Sequence, residues 1–448
     1  MRKMKDSGVD WIGEIPADWN VIRMKNAISK RDGGSWGVES QGNENDYVCI
    51  RIADFDYERM TIKQANDYEF TRRNYDSSIV KRLILEKGDI LIEKSGGGEK
   101  TPVGRTIIFN ENYSCMYANF IDRLRVAENI IPKYMQYILV TFYKNEYVRK
   151  YIKQTTGIQN LDITTMLSQE EISCPSLEAQ QRIADYLDEK CAKIDAIIAR
   201  QQEVIEKLKT YKSSVIMEAV TKGLNSDVPM KDSGIEWIGF MPEHWKLIAF
   251  KYILNERREI NLPVQTEERL SLSIDKGVTL YAEKTTNLDR FKDNVAQYKL
   301  AHEGDLVLNS MNMIVGAVGI SRYFGCVSPA YYTYYDTDDY HIAARYCEYL
   351  FKTKTMRKVL YSLGKGIMSI DRGDDRVNTC RLKVSRNDLR SLKLPMPSHE
   401  EQNSIVNFLD KKNEQIDASI NVKSNLIEKL VEYKKSLIYE VVTGKKEV

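Results

Sequence analysis

Two patterns of apolar residues alternate along this chain, and each occurs twice. In the first, short apolar runs are bounded by turn residues. Gly88-Asp89-Ile90-Leu91-Ile92 and Gly304-Asp305-Leu306-Val307-Leu308 both read as a turn feeding an apolar strand. From Pro175, and again from Pro397, the apolar residues switch to helical spacing. With Ile183 as position a, the a series is Ile183, Lys190, Ile197, Val204 and Tyr211, and the d series is Leu187, Ile194, Gln201, Leu208 and Val215. In the second stretch the a series is Ile405, Lys412, Ser419, Leu426 and Tyr433, with Leu409, Ile416, Lys423, Leu430 and Leu437 at d. Sustained heptads predict a coiled-coil seam, and polar residues at matching seam positions (Lys190 with Lys412, Gln201 with Lys423) favour the two helices packing on each other. Ser398 and Glu401 have capping-box spacing, and Gly223 and Gly444 stop the helices. Unbroken from Ser176 to Thr221, the first helix would span roughly 70 Å.

The duplication extends to sequence identity. Met4 to Trp19 and Met230 to Trp245 share ten of sixteen residues at an offset of 226, including Trp-Ile-Gly-x-x-Pro-x-x-Trp. Pro175-Ser176-Leu177-Glu178-Ala179-Gln180 returns as Pro397-Ser398-His399-Glu400-Glu401-Gln402, and Ile205-Glu206-Lys207-Leu208 returns as Ile427-Glu428-Lys429-Leu430. Between these flanks the copies diverge, with Val103-Gly104 aligned on Val318-Gly319 and Gly157-Ile158 on Gly366-Ile367. The predicted organisation is a globular domain over 1–174, a helix over 175–223, a second globular domain over 224–396 and a second helix over 397–448. Because short linkers join successive parts, the helices should run antiparallel. The expected fold is α+β: two globular domains of mixed helix and sheet, separated by two long antiparallel coiled-coil helices and related by a pseudo-twofold axis.

The 66 Lys and Arg residues nearly balance 64 Asp and Glu, which argues against a polycation but not against a basic face. Seven scattered cysteines without a C-x-x-C pair and four dispersed histidines offer neither a zinc site nor a disulfide framework. No apolar run is long enough for a membrane span, and the chain reads as soluble and cytoplasmic. The glycine stretch after Lys94 lacks the phosphate-loop pattern, and no dinucleotide, metalloprotease, amino-methyltransferase or cysteine-nucleophile signature occurs. The chain alone looks non-catalytic. Candidate DNA contacts are Lys94, Lys100, Arg105, Gln159 and Asn160 in the first domain and Arg372, Arg376 and Arg381 in the second. Amides of this kind read adenine edges, and arginine forks pair with guanine or phosphate. The four repeated tryptophans read as framework, and Tyr331 to Tyr335 as a strand alternating between two faces.

With the duplicated Trp-Ile-Gly-x-x-Pro-x-x-Trp openings and the Pro-Ser-x-Glu-x-Gln helix starts, the chain resembles the DNA-specificity subunit of type I restriction-modification systems, over essentially its full length. The resemblance implies two target-recognition domains, each reading one half of a split, asymmetric sequence in double-stranded DNA. It implies helices that set the spacing between half-sites and dock two adenine-N6 methyltransferase subunits, with motor-nuclease subunits joining for cleavage. S-adenosylmethionine, ATP and Mg are then expected on the partners, and no cofactor, metal or catalytic residue on this chain. The competing reading is a non-catalytic coiled-coil adaptor displaying two ligand-binding domains.

Overall fold

The computed structural model describes residues 2–64, 68–155, 157–283, 294–337, 341–366 and 382–448. The chain divides into two compact units, Met1–Gln202 with Ser424–Val448, and Glu203–Lys423. Both cuts fall inside the long helices α2 (Leu177–Lys222) and α4 (His399–Val442), so each unit holds one globular domain and part of each helix.

In the first unit, β1 (Ile28–Gly33), β2 (Ile90–Glu93), β3 (Thr106–Ile108) and β4 (Ile121–Val126) form a sheet ordered β3-β2-β4-β1. The central strand β2 explains the Gly-Asp-apolar motif. Side chains alternate between faces, so Ile90 and Ile92 enter a core with Tyr134 and Ile138 of α1 (Pro132–Lys144). Leu91 enters a separate core with Cys49, Ile107 and Tyr117. Gly88 supplies the positive φ, +90°, of the turn before it.

The second unit repeats this plan. Its strands β5 (Asn255–Arg257), β6 (Leu306–Asn309), β7 (Val318–Ile320) and β8 (Tyr331–Tyr335) are ordered β7-β6-β8-β5. Leu306 and Leu308 pack with Tyr346 and Leu350 of α3 (Ile342–Lys352), and Val307 packs on the other face with Leu270 and Val278. Tyr332, Thr333 and Tyr334 are all buried, so the strand alternates between two faces that are both covered. Register also corrects one sequence alignment. Val318 faces Leu308 as Thr106 faces Ile92, so Val318 is the counterpart of Thr106, not of Val103.

The helix starts are built alike. Gln180 and Gln402 are buried, and each donates its Nε2 to a proline carbonyl five residues earlier, at 2.9 Å on Pro175 and 3.0 Å on Pro397. The capping box forms in the second copy, where the Glu401 amide donates to Ser398 Oγ and Glu401 Oε2 accepts from the Ser398 amide, both at 3.3 Å.

The helix ends are held by a second pair of matched residues. Tyr134 donates to the carbonyls of Val442 (3.2 Å) and Ser173 (3.0 Å), and Tyr346 donates to those of Val220 (2.9 Å) and Pro395 (3.0 Å). Each tyrosine thus satisfies a carbonyl in the last turn of the long helix that arrives from the other copy, where backbone acceptors lack helical partners. One turn on, Tyr137 donates to Asp188 (2.6 Å), and Tyr349 to Asp410. Lys133 and Arg345 pair with the same two aspartates. The terminal glycines complete the clasp: a Cβ on Gly444 would lie 2.4 Å from Pro16, and one on Gly223 would lie 3.2 Å from Trp245.

Among the seam residues, Ile183, Leu187, Ile194, Ile405, Leu409, Ile416 and Leu437 are buried, and Leu208, Val215 and Leu430 are half-buried. Ile197, Tyr211, Leu426 and Tyr433 are exposed, which corrects the uniform heptad. The buried stripe in the first unit runs Ile183, Leu187, Cys191 and Ile194, because the helix packs against the globular domain as well as against Leu437 and Val441. A 3.6-residue helix drifts from a 3.5-residue repeat, and later a positions rotate outward. Ion pairs join the helices within each unit: Lys434 Nζ to Asp195 at 2.6 Å in the first, Lys212 Nζ to Asp417 at 2.7 Å in the second.

Candidate nucleic-acid interface

Four segments of the first domain are stitched into one edge by backbone hydrogen bonds. The amides of Gly34 and Ser35 donate to Ile121 and Tyr117, that of Lys94 to Phe120, and that of Leu161 to Lys94, all within 2.8–2.9 Å. Gly34 lies so close to the turn that a Cβ there would meet the Ala118 carbonyl oxygen at 2.1 Å. The glycine stretch is ordered as a short strand: Ser95 and Gly96 pair with Asn160 and Gln159.

This edge sorts the sequence candidates. Lys94 is partly exposed, with its Nζ 3.5 Å from the buried Asp122. Lys100 is exposed in the loop beyond Gly98. Asn160 is exposed on the middle strand of this small sheet, between Ser95 and Lys153, and its Oδ1 accepts from Ser95 Oγ at 2.6 Å. Gln159 does not face solvent: it is 5% exposed, and its Oε1 accepts from the Val103 amide at 3.3 Å. The period of two that exposes Ile158 and Asn160 turns Gln159 inward, so it fastens the glycine stretch rather than reading bases. Arg105 is likewise withdrawn. It makes a two-pronged pair with the buried Glu93, at 2.7 and 3.0 Å, and covers the Tyr57 ring with its guanidinium 3.7 Å from the centroid. Burial and the Glu93 carboxylate together push the Tyr57 hydroxyl far above its ordinary pKa. Arg372, Arg376 and Arg381 lie outside the described residues.

Two exposed rings and a half-buried arginine on the same edge were not anticipated. Trp36 is 39% exposed, and the Arg73 guanidinium stands 4.7 Å from its ring while Arg73 Nε donates to the Trp36 carbonyl at 3.1 Å. Phe120 is 47% exposed in the turn next to Lys94. Arg31 is fixed between Asp122 (2.7 Å) and Thr164 (2.6 Å). An aromatic ring stacked by arginine, a second exposed ring, lysine and an exposed amide together suit stacking, base-edge contact and phosphate pairing. The signal for Trp36 was its departure from the repeat, since it belongs to neither duplicated tryptophan pair.

This architecture is similar to one class of protein, the specificity subunits of type I restriction-modification systems. Residues 43–207 match the family described as Type I restriction modification DNA specificity domain. The chain is 24% identical over 444 residues to a putative type I restriction enzyme MjaX specificity subunit of Methanocaldococcus jannaschii, covering 97% of this chain and 95% of the relative. It is also 24% identical over 253 residues to the EcoKI specificity subunit of Escherichia coli K12, covering 55% of this chain and 50% of that one. In fold it resembles a chain solved in a type I R-M system (TM-score 0.69, 13% identity, 96% of this chain and 99% of that one). The HsdS subunit of Thermoanaerobacter tengcongensis aligns at a TM-score of 0.52 with 14% identity, over 96% and 98% of the two chains.

Proposed function

We propose that this chain is the sequence-specific DNA-binding specificity subunit of a type I restriction-modification complex. The observation that carries this reading is the pairing of a repeated frame with unlike edges. Two sheets of identical strand order each pack on a helix whose tyrosine, Tyr134 or Tyr346, binds the last turn of a long helix, yet the segments at their open edges differ in sequence and chemistry. A duplicated frame with diverged edges fits two different ligands better than one repeated ligand, as a bipartite asymmetric DNA target requires. The residues this chain contributes then bind and position DNA. Methyl transfer and cleavage belong to partner subunits, which bring S-adenosylmethionine, ATP and Mg. Two methyltransferase subunits would dock on the helices, where Ile197, Tyr211, Leu426 and Tyr433 leave apolar surface uncovered.

The helices are expected to set the distance between half-sites. Lys207 lies five residues before Lys212 and Val422 five after Asp417, so heptads inserted after each face one another across the ion-paired helices. The matched insertion lengthens both helices by roughly 10 Å, or about three base pairs. Sequencing modified adenines in cells expressing the complex should return unchanged half-sites with a longer gap. A folded variant that still methylates the original spacing with undiminished preference rules the ruler out.

A further inference from the structure

At one corner of the second domain's sheet, three arginines gather on a single buried carboxylate. Glu256 of β5 has a side chain only 5% exposed. Arg258 reaches it at 3.0 Å, Arg386 at 2.7 Å and Arg390 at 3.7 Å, with side chains 64%, 39% and 37% exposed. Lys299 stands beside them, half-buried, with its Nζ donating to the Tyr331 carbonyl at 2.5 Å. Lys299 and Arg386 both lie over the Tyr332 ring, at 5.6 and 5.5 Å. Exposed Lys383 adds a fifth cation, placed at this corner by its neighbour Val384, whose carbonyl accepts from the Tyr332 hydroxyl at 3.1 Å. Of the nearby acids, Asp388 is engaged by Lys365 (3.1 Å) and by the Ser385 hydroxyl (2.7 Å).

The arithmetic of this corner is unusual for a structural ion pair. One carboxylate can accept a two-pronged arginine and about four hydrogen bonds in all, yet three arginines pair with this one and two lysines stand nearby. Burial lowers the pKa of Lys299, and Arg386, Lys383 and Arg258 lower it further against the opposing pull of Glu256. An arginine held by a buried acid keeps its remaining N–H groups in a fixed direction, so little side-chain entropy is lost when an external anion docks.

We propose that Arg258, Lys299, Lys383, Arg386 and Arg390 form a phosphate clamp that holds the DNA backbone against the second domain, with Glu256 as its internal anchor. This rests on the DNA-binding reading above and adds a division of labour: these residues give affinity and register, and other segments of the domain read bases. The first domain has a smaller version of the device, where Arg31 and Lys94 converge on buried Asp122.

The test uses R258Q and K383Q, singly and together, in the full chain assembled with its methyltransferase partner. Both side chains are exposed, and Glu256 keeps Arg386 and Arg390, so folding should be retained; a thermal melt matching wild type verifies this. Binding of duplexes with and without the target is measured across a salt series. Each variant should lose affinity for both duplexes alike, and the slope of log K against log salt should fall by about 0.9 per lost phosphate contact. The methylated motif should stay the same. Wild-type affinity and slope in the folded double variant overturn the clamp. So does a changed motif, which would make these residues base readers, or a loss of subunit assembly, which would make the patch a protein contact. If the wild-type complex itself shows no DNA binding, it is the broader reading that fails.

Discussion

The two globular domains place opposite charges at the same point of the same sheet. In the first, Asp32 faces Arg123, which faces Leu91; in the second, Arg257 faces Thr333, which faces Val307. Asp32 and Arg257 are therefore counterparts. What stays constant is the buried aspartate at the head of the central strand. Asp89 is held by Arg125 of β4 at 2.8 and 2.9 Å, and Asp305 by Arg257 of β5 at 2.6 and 3.0 Å. The frame requires a cation on that acid, because a buried carboxylate left unpaired is costly, but not from a fixed strand. That freedom lets the edge beyond β1 and β5 diverge while the sheet is preserved.

The sharpest test of this contrast lies two residues beyond the counterparts, where Gly34 in the first domain matches Glu259 in the second. Gly34→Ala drives a methyl group onto the Ala118 carbonyl and should cost about 3 kcal/mol, with loss of binding to one half-site. Glu259→Ala removes a partly exposed pair with His302, leaves Arg257 on Asp305, and should cost under about 1 kcal/mol. Urea unfolding of the two variants measures both. Equal costs would mean that the edges are not built on different constraints.

The helix starts give a smaller and reciprocal contrast. Trp245 Nε1 donates to Glu401 at 3.4 Å, and the same carboxylate takes His244 at 2.9 Å. In the first copy Ala179 stands where Glu401 does, and the buried Trp19 Nε1 has no hydrogen-bond partner among the described residues. Glu401→Ala should destabilise by about 1 kcal/mol, the size of one such bond plus the penalty of a stranded donor. Ala179→Glu should stabilise the first copy by a similar or smaller amount. Melting temperatures moving in opposite directions support this, and a stabilising Glu401→Ala would refute it.

These contrasts also show what could be read from sequence. The Gly-Asp-apolar motif, the Gln180 and Gln402 helix starts and the terminal glycines recur at near-constant spacing, and each marks a backbone feature with one solution. Lys133-Tyr134-x-x-Tyr137 and Arg345-Tyr346-x-x-Tyr349 are equally regular at an offset of 212, but tyrosines at helical spacing carry no turn or cap signature that marks them out from core residues. The heptads overstated the seam because burial there depends on a third partner, the globular domain. Site residues were least legible. Arg258 and Arg386 meet on Glu256 although 128 positions separate them in the chain, and Gln159 differs from Asn160 only in which side of a strand it occupies.

The smallest predicted effect is a pH dependence confined to the second copy. Burial raises the pKa of Glu401, but hydrogen bonds from His244, Trp245 and the Ser398 amide outweigh it and hold the carboxyl below its ordinary value. A carboxyl whose folded pKa lies below its unfolded one adds stability that is complete above the unfolded value. That stability is lost as pH falls through the folded value. Wild type should therefore exceed Glu401→Gln in melting temperature at about pH 7, and the gap should close as pH drops below about 4, where carboxyls protonate. The first copy has Ala179 at this position and contributes nothing to the gap, so in an Ala179→Glu background a second component of the same sign should appear. A gap that stays constant down to about pH 3 would show that Glu401 acts through packing, and not through the charge that accepts the indole and imidazole hydrogens.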